Sequence, residues 1–290
     1  MAVENNTTTS ADMIAALDEE FVFNYKQEAD RLIELLGITG VETVSAGTAI
    51  YQVKITGELA TDAVEEGDLV ALSKYKAERV AIDAVTPKPY RKLTTAEAIL
   101  KAGPEIAVSR TDSKMASAIR HGLVKEFFKS LNNGTGTATG TSLQAALAIA
   151  DATLADAMET NGDEGGNVVH FVNRMDAAEY LGKANITTQT VAGLTYLESF
   201  LGIPYVFLTN EVSQGNLIVT CAENLHAYGI DFAGLATGGL DYATDASGMV
   251  GVSHDPVKNR AAIETNIMSG LKLFPEVTDY IVKGTIAPTA

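Results

Sequence analysis

Tryptophan is absent, and cysteine occurs once, at Cys221, in a chain of 290 residues. A single thiol excludes an internal disulfide framework and suits a reducing compartment. No apolar run approaches the roughly 18 residues that cross a bilayer, so no membrane partner is expected. The opening MAVENNTTTSADM lacks the basic and apolar blocks of a secretion signal, which points to a soluble protein made in a cytoplasm. Basic residues are scarce: 21 Lys and Arg stand against 37 Asp and Glu, for a net charge of −16. Sequence-independent grip on nucleic acid needs clustered cations to neutralise phosphates, and this balance argues against it. The same charge promotes solubility.

Catalytic patterns are missing as well. The four histidines, His121, His170, His226 and His254, form no HExxH pair. There is no G-x-S-x-G elbow to present a serine nucleophile and no dinucleotide glycine fingerprint. The stretch 132–141, NNGTGTATGT, lacks the Gly-Lys-Ser/Thr ending of a phosphate loop and reads as a flexible connector. Asp163 and Glu164 lack the alternating ligands of a calcium loop, and Asp241 and Asp245 are badly spaced for one. His121 reads as a surface or interface residue, His170 as a packed and hydrogen-bonded core residue, and Cys221 as a buried structural thiol. No catalytic, cofactor-binding or metal-ligating set is assigned, and no cofactor is expected.

What is present is patterning. In 111–133, Met115, Ile119, Leu123, Phe127 and Leu131 recur every four residues, which makes one apolar stripe on a helix of roughly 30 Å. Asp112 or Thr111 is expected to cap its start, and Asn132, Asn133 and Gly134 its end. Upstream, Met13 to Leu36 mark a helical face closed by Gly37, with a break expected near residues 21–24. That helix reads either as core or as an arm packed on another subunit. In 41–93, Tyr51, Val53 and Ile55 alternate with polar residues, and Val80, Ile82 and Ala84 alternate likewise, as in half-exposed strands. Between and along them lie acidic Glu58, Asp62, Glu65, Glu66 and Asp68, then basic Lys74, Lys76 and Arg79. An isolated two-stranded hairpin is marginal in water. The segment is either a solvated meander or a projecting arm that docks on neighbouring copies by complementary charge. Those eight residues are the candidate subunit-interface residues.

Further along, Thr94 to Glu97 form a capping box for a helix ending by Ala102, and 105–108 read as a short strand. Thr141 and Gln144 form a second capping box, before a stripe of Leu143, Leu147, Ala150, Leu154 and Met158. Strands are expected at 168–172, 203–208 and 216–221. Asn173 is expected to cap a helix through Tyr180, and 196–201 reads as another short helix. The stretch 231–248 reads as irregular. Strand-like sequence resumes at 249–252 and 260–268 and closes at 278–286. Strands and helices alternate after residue 140, as in a mixed α/β domain.

The order of these parts resembles the major capsid protein of tailed bacteriophages, the Hong Kong 97 fold. The phrases that carry it are TTAEAILKAG, the spine helix TDSKMASAIRHGLVKEFFKSLNN, FVNRMDAAEYLG, GIPYVFLTNEVSQGN and the closing NRAAIETNIMSGLKLF and VTDYIVKGTI. The resemblance implies an α+β fold with an N-terminal arm (1–40) and an extended β-hairpin loop with its base (41–93). It implies a peripheral domain with the long spine helix (94–139, helix 111–133) and an axial α/β domain (140–245). The C-terminal strands (246–290) would return to the peripheral domain. It implies a homo-oligomer of pentamers and hexamers forming an icosahedral shell around double-stranded DNA that is not specifically bound. The chain would assemble in the host cytoplasm into a virion, with a portal. With only about 40 residues before the hairpin, a separate scaffolding protein is expected. Some members cross-link a loop lysine to an asparagine. Lys74 and Lys76 lie in the right region, but no matching asparagine or carboxylate is found. An encapsulin-like compartment shell is the alternative, and an α/β enzyme with a site in 163–255 a further one.

Overall fold

The computed structural model describes residues 10–60, 69–163, 166–181, 188–191, 194–200 and 203–287. In chain order the elements are α1 (Ser10–Leu35), β1 (Val41–Val44), β2 (Ala49–Glu58), β3 (Lys74–Ala84), β4 (Lys88–Thr95) and α2 (Ala96–Ala102). A π-helical turn (Glu105–Arg110) leads directly into α3 (Thr111–Leu131). Then follow β5 (Gly136–Gly140), α4 (Leu143–Asn161), β6 (Val168–Asn173), α5 (Arg174–Leu181), β7 (Gln189–Val191), β8 (Leu194–Phe200), β9 (Ile203–Thr209) and β10 (Asn216–Cys221). The chain ends with β11 (Leu225–Ile230), α6 (Ala233–Thr237), β12 (Ala243–Thr244), β13 (Val250–Val257), β14 (Ala262–Ser269), β15 (Lys272–Pro275) and β16 (Ile281–Ile286).

The spine helix α3 forms over the expected span, but its start differs. Neither Asp112 nor Thr111 caps it, because the helix continues out of the π-helical turn, whose carbonyls occupy the first-turn donors. Thr111 Oγ1 instead donates back to Ala107 O and Val108 O, at 2.9 Å each. The turn replaces the strand expected at 105–108. Gly103, at φ 81°, closes α2, and Pro104 already sits at a helical φ of −62°, so the chain re-enters a helix at once. The caps of α2 and α4 each fall one residue later than expected. Thr95 Oγ1 accepts from Ala98 N–H, and Ser142 Oγ accepts from Ala145 N–H.

A mixed seven-stranded sheet, in the order β5-β16-β10-β6-β9-β8-β7, lies between α3 and α4. Its alternation decides which face each residue joins. In β6, Val169 and Phe171 pack with Phe127 and Phe128 of α3, while Val172 packs with Leu147, Ala150 and Leu154 of α4. His170 points the same way as Val172 and reaches Asp151 of α4 at 2.7 Å, a hydrogen-bonded core histidine as expected. Asn173 caps α5 by accepting from Met175 N–H at 2.8 Å.

Two stretches differ from expectation, the first because a strand covered on both faces does not alternate. In place of the helix expected at 196–201, β8 (Leu194–Phe200) is a strand, and residue 201 lies outside the described residues. Leu194, Leu197 and Phe200 mimic helical spacing because Leu194 and Tyr196 face the α3 core while Leu197 and Phe200 join the α4 core. The 132–141 connector contains β5, which pairs in parallel with β16. Its glycine content permits close approach: a Cβ on Gly140 would lie 2.2 Å from Ala146 N. The 231–248 stretch carries the short α6 and β12.

α1 runs unbroken through residues 21–24, because Phe21, Val22 and Tyr25 are buried there. With Ala29, Leu32 and Ile33 it joins the core of its own chain beside α3. Smaller sheets complete the fold, in the orders β12-β13-β14-β4, β1-β11-β15 and β2-β3. The C-terminal stretch therefore divides: β13 and β14 join β4, while β16 enters the seven-stranded sheet between β5 and β10.

Candidate assembly surface

β2 and β3 pair with each other in a two-stranded sheet, antiparallel from Ala49↔Ala84 to Glu58↔Lys74, with a bulge between Ile50 and Tyr51. The base is built into the body. Ile50 and Val85 are buried with Ile230, Phe232 and Phe274. Gly47 N–H donates to Val85 O at 2.8 Å, and Val85 N–H to Thr48 O at 3.0 Å. Lys272 from β15 reaches across to the Asp83 carboxylate and donates to Ala84 O at 3.0 Å. The hydrogen bond from Lys272 to the Asp83 carboxylate holds that carboxyl below its ordinary range.

Beyond the base the hairpin contacts mainly itself. Among the described side chains of residues 69–83, none is buried, and Leu69 and Leu72 are each 96% exposed. The Arg79 guanidinium lies 4.3 Å from the Tyr51 ring centroid, a cation–π contact on an exposed face. The Tyr75 ring lies across Gly57, where a Cβ would come within 2.0 Å of it. Ala60 N–H donates to Ser73 Oγ at 3.0 Å. An eleven-residue strand whose described side chains are all exposed or, at Ala84, half-buried is stabilised only weakly by its own chain.

Of the eight candidate interface residues, four are described: Glu58, Lys74, Lys76 and Arg79. Asp62, Glu65, Glu66 and Asp68 lie outside the described residues. The register sets Glu58 opposite Lys74, so part of the acidic and basic character is matched across the hairpin itself.

No protein-family model and no curated protein matches the sequence. Solved structures match the fold. The capsid asymmetric unit of cyanophage A-1(L) is 11% identical over 90% of this chain and 92% of that one, with a TM-score of 0.55. The holo-SrpI encapsulin complex of Synechococcus elongatus is 9% identical over 89% of each chain, with a TM-score of 0.53. The capsid of cyanophage P-SCSP1u is 11% identical over 88% of each, at 0.50. The chain has the Hong Kong 97-type capsid fold.

Inside this Hong Kong 97-type fold lies a buried charge cluster that sequence reasoning missed. His254 on β13, its side chain fully buried, directs Nε2 to Asp112 Oδ2 on α3 at 3.0 Å and Nδ1 to Asp18 Oδ1 on α1. Lys92 on β4 reaches the other Asp112 oxygen at 2.5 Å and donates to Thr111 Oγ1 at 2.6 Å. Sheet register explains the gathering, because His254, Thr265 and Lys92 stand directly opposite one another on β13, β14 and β4. Burial alone would lower the His254 pKa. Hydrogen bonds to Asp112 and Asp18, with their charges, outweigh it, and the pKa is pushed up to about 9. One signal lay in the sequence: a histidine directly after the apolar run MVGV and Ser253.

The remaining polar groups serve structure. Burial pushes the Cys221 thiol up, as suits an unreactive core thiol. Burial and the neighbouring Asp163 push the Tyr280 hydroxyl up to about 12. Among the described residues, no cluster of three His, Cys, Asp or Glu side chains is placed to hold a metal ion. Among them, too, no helix is long and apolar enough to cross a membrane.

Proposed function

We propose that the chain is the major capsid protein of a tailed bacteriophage, which assembles as pentamers and hexamers into an icosahedral shell around double-stranded DNA. The observation that carries this reading is the β2–β3 hairpin, fastened at its base and presenting exposed apolar and charged side chains along the rest of its described length. Such a surface is uneconomical for a monomer and natural for a subunit completed by copies of itself.

On this reading residues 1–40 are the arm, 41–93 the extended loop and its base, 94–139 the peripheral domain with its spine helix, and 140–245 the axial domain. The 246–290 stretch supplies strands to both the peripheral sheet and the axial sheet. Glu58, Asp62, Glu65, Glu66, Asp68, Lys74, Lys76 and Arg79 contact neighbouring copies. The net charge of −16 lets the shell enclose DNA without gripping it. A separate scaffolding protein and a portal take part, and the product is a virion assembled in the host cytoplasm.

The test is electron microscopy with sedimentation of the purified chain, alone and with a co-expressed scaffold candidate. Closed shells, tubes or capsomer rings are expected, and a monodisperse monomer or dimer under every condition would overturn the proposal. The likeness to the SrpI encapsulin favours a second reading, a protein-compartment shell. Shells that close without a scaffold and take up protein cargo would decide for it.

A further inference from the structure

Both ring nitrogens of His254 face carboxylate oxygens. A neutral imidazole donates from one nitrogen and accepts at the other, whereas a carboxylate only accepts. Only the imidazolium satisfies both contacts. The groups that face it are Asp18 from α1, Asp112 from α3, Lys92 from β4 and the uncharged Thr265 from β14. On its own strand, Asp255 is engaged by Ser253 Oγ at 2.9 Å. Two cations and two anions therefore balance.

Removing the imidazolium proton leaves a buried excess of negative charge and one carboxylate without its donor. The two carboxylates are not equivalent. Asp112 keeps Lys92 and is 3% exposed, while Asp18 is 13% exposed and sits nearer water. A second ion pair, Arg120 to Glu28 at 2.7 Å, fastens α1 to α3 ten residues further along α1. Arginine keeps its charge at any pH a protein survives.

We infer that protonated His254 is a pin holding the N-terminal half of α1 against the spine helix, and that loss of its proton loosens α1 up to the Glu28–Arg120 pair while the sheet core stays closed. The pin gives this chain an alkaline-labile joint between its N-terminal helix α1 and the spine helix α3. The inference concerns the single chain and stands whether or not the shell reading holds.

The test is hydrogen exchange read by mass spectrometry on the full-length chain between pH 6 and 10, as protection factors, together with slow exchange of the imidazole C2 hydrogen to titrate His254. The His254 ring is expected to titrate near pH 9. Peptides from residues 16–27 are expected to lose about tenfold in protection through that transition, while those from 29–36 and from β10 keep theirs. Asp18→Asn is expected to lower the His254 midpoint and to loosen residues 16–27 already at pH 7. Titration of His254 at an ordinary imidazole pH, or loss of protection in α1 only together with β10, would overturn the inference. So would an Asp18→Asn variant with an unchanged midpoint. His254→Gln is expected to abolish the pH dependence in residues 16–27. The Asp18→Asn result stands by itself if His254→Gln does not fold.

Discussion

Phe128 of α3 meets Phe171 of β6 edge-on, with ring centroids 5.0 Å apart and planes at 86°. Both rings are 1% exposed or less, and Phe127 and Phe207 also pack against Phe171, with centroids at 5.9 and 5.5 Å. This contact ties the spine helix to the seven-stranded sheet. Phe171→Ala is expected to cost about 3–5 kcal/mol, because it removes a fully buried ring and leaves a cavity that the sheet cannot close. The measurement is the denaturant midpoint of the purified chain.

Two glycines separate close packing from backbone conformation. At Gly140 an added Cβ would meet the Ala146 backbone nitrogen at 2.2 Å, whereas at Gly162 it would meet nothing, though φ is +79°. Gly140→Ala is expected to cost more than about 2 kcal/mol through overpacking of β5 against α4. Gly162→Ala is expected to cost about 1 kcal/mol, from the left-handed conformation alone. Thermal midpoints of the two variants compare them directly.

The hairpin charges are expected to matter between copies rather than within one. A triple change, Lys74→Glu, Lys76→Glu and Arg79→Glu, touches exposed positions. The fold is expected to shift by no more than about 1 kcal/mol for each substitution, since Lys74 faces Glu58 and Arg79 lies over Tyr51. Sedimentation of the same variant is expected to show no shells where the parent forms them. Normal shells from this variant would remove these three residues from the interface.

Stability is expected to fall at alkaline pH. The folded-state pKa of His254 is raised to about 9 from the ordinary imidazole value of 6.5. Its contribution is therefore fully present below pH 6.5, declines as pH rises, and is gone above about pH 9. The whole effect is at most about 3–4 kcal/mol, from about 2.5 pKa units at 1.36 kcal/mol each. Denaturant unfolding across pH 6–10 should show this slope in the parent and a flatter line in His254→Gln.

What lay open to reading in the sequence was whatever repeats locally. The four-residue recurrence from Met115 to Leu131 defined α3, the alternation about Tyr51 and Val80 defined the hairpin, and β10 fell on Asn216–Cys221 as expected. The order of those parts was enough to reach the fold. What tertiary structure decided was every feature that depends on how many faces are covered and on which strands are neighbours. Leu194, Leu197 and Phe200 carry helical spacing yet form a strand, because two cores cover it. α1 passes through residues 21–24 without a break, because α3 and the sheet bury that turn. His254 meets residues 142 and 236 positions away, brought together by sheet register and helix packing. Local periodicity records that a side chain is buried. Its partner is set by long-range pairing, which no window of the sequence contains.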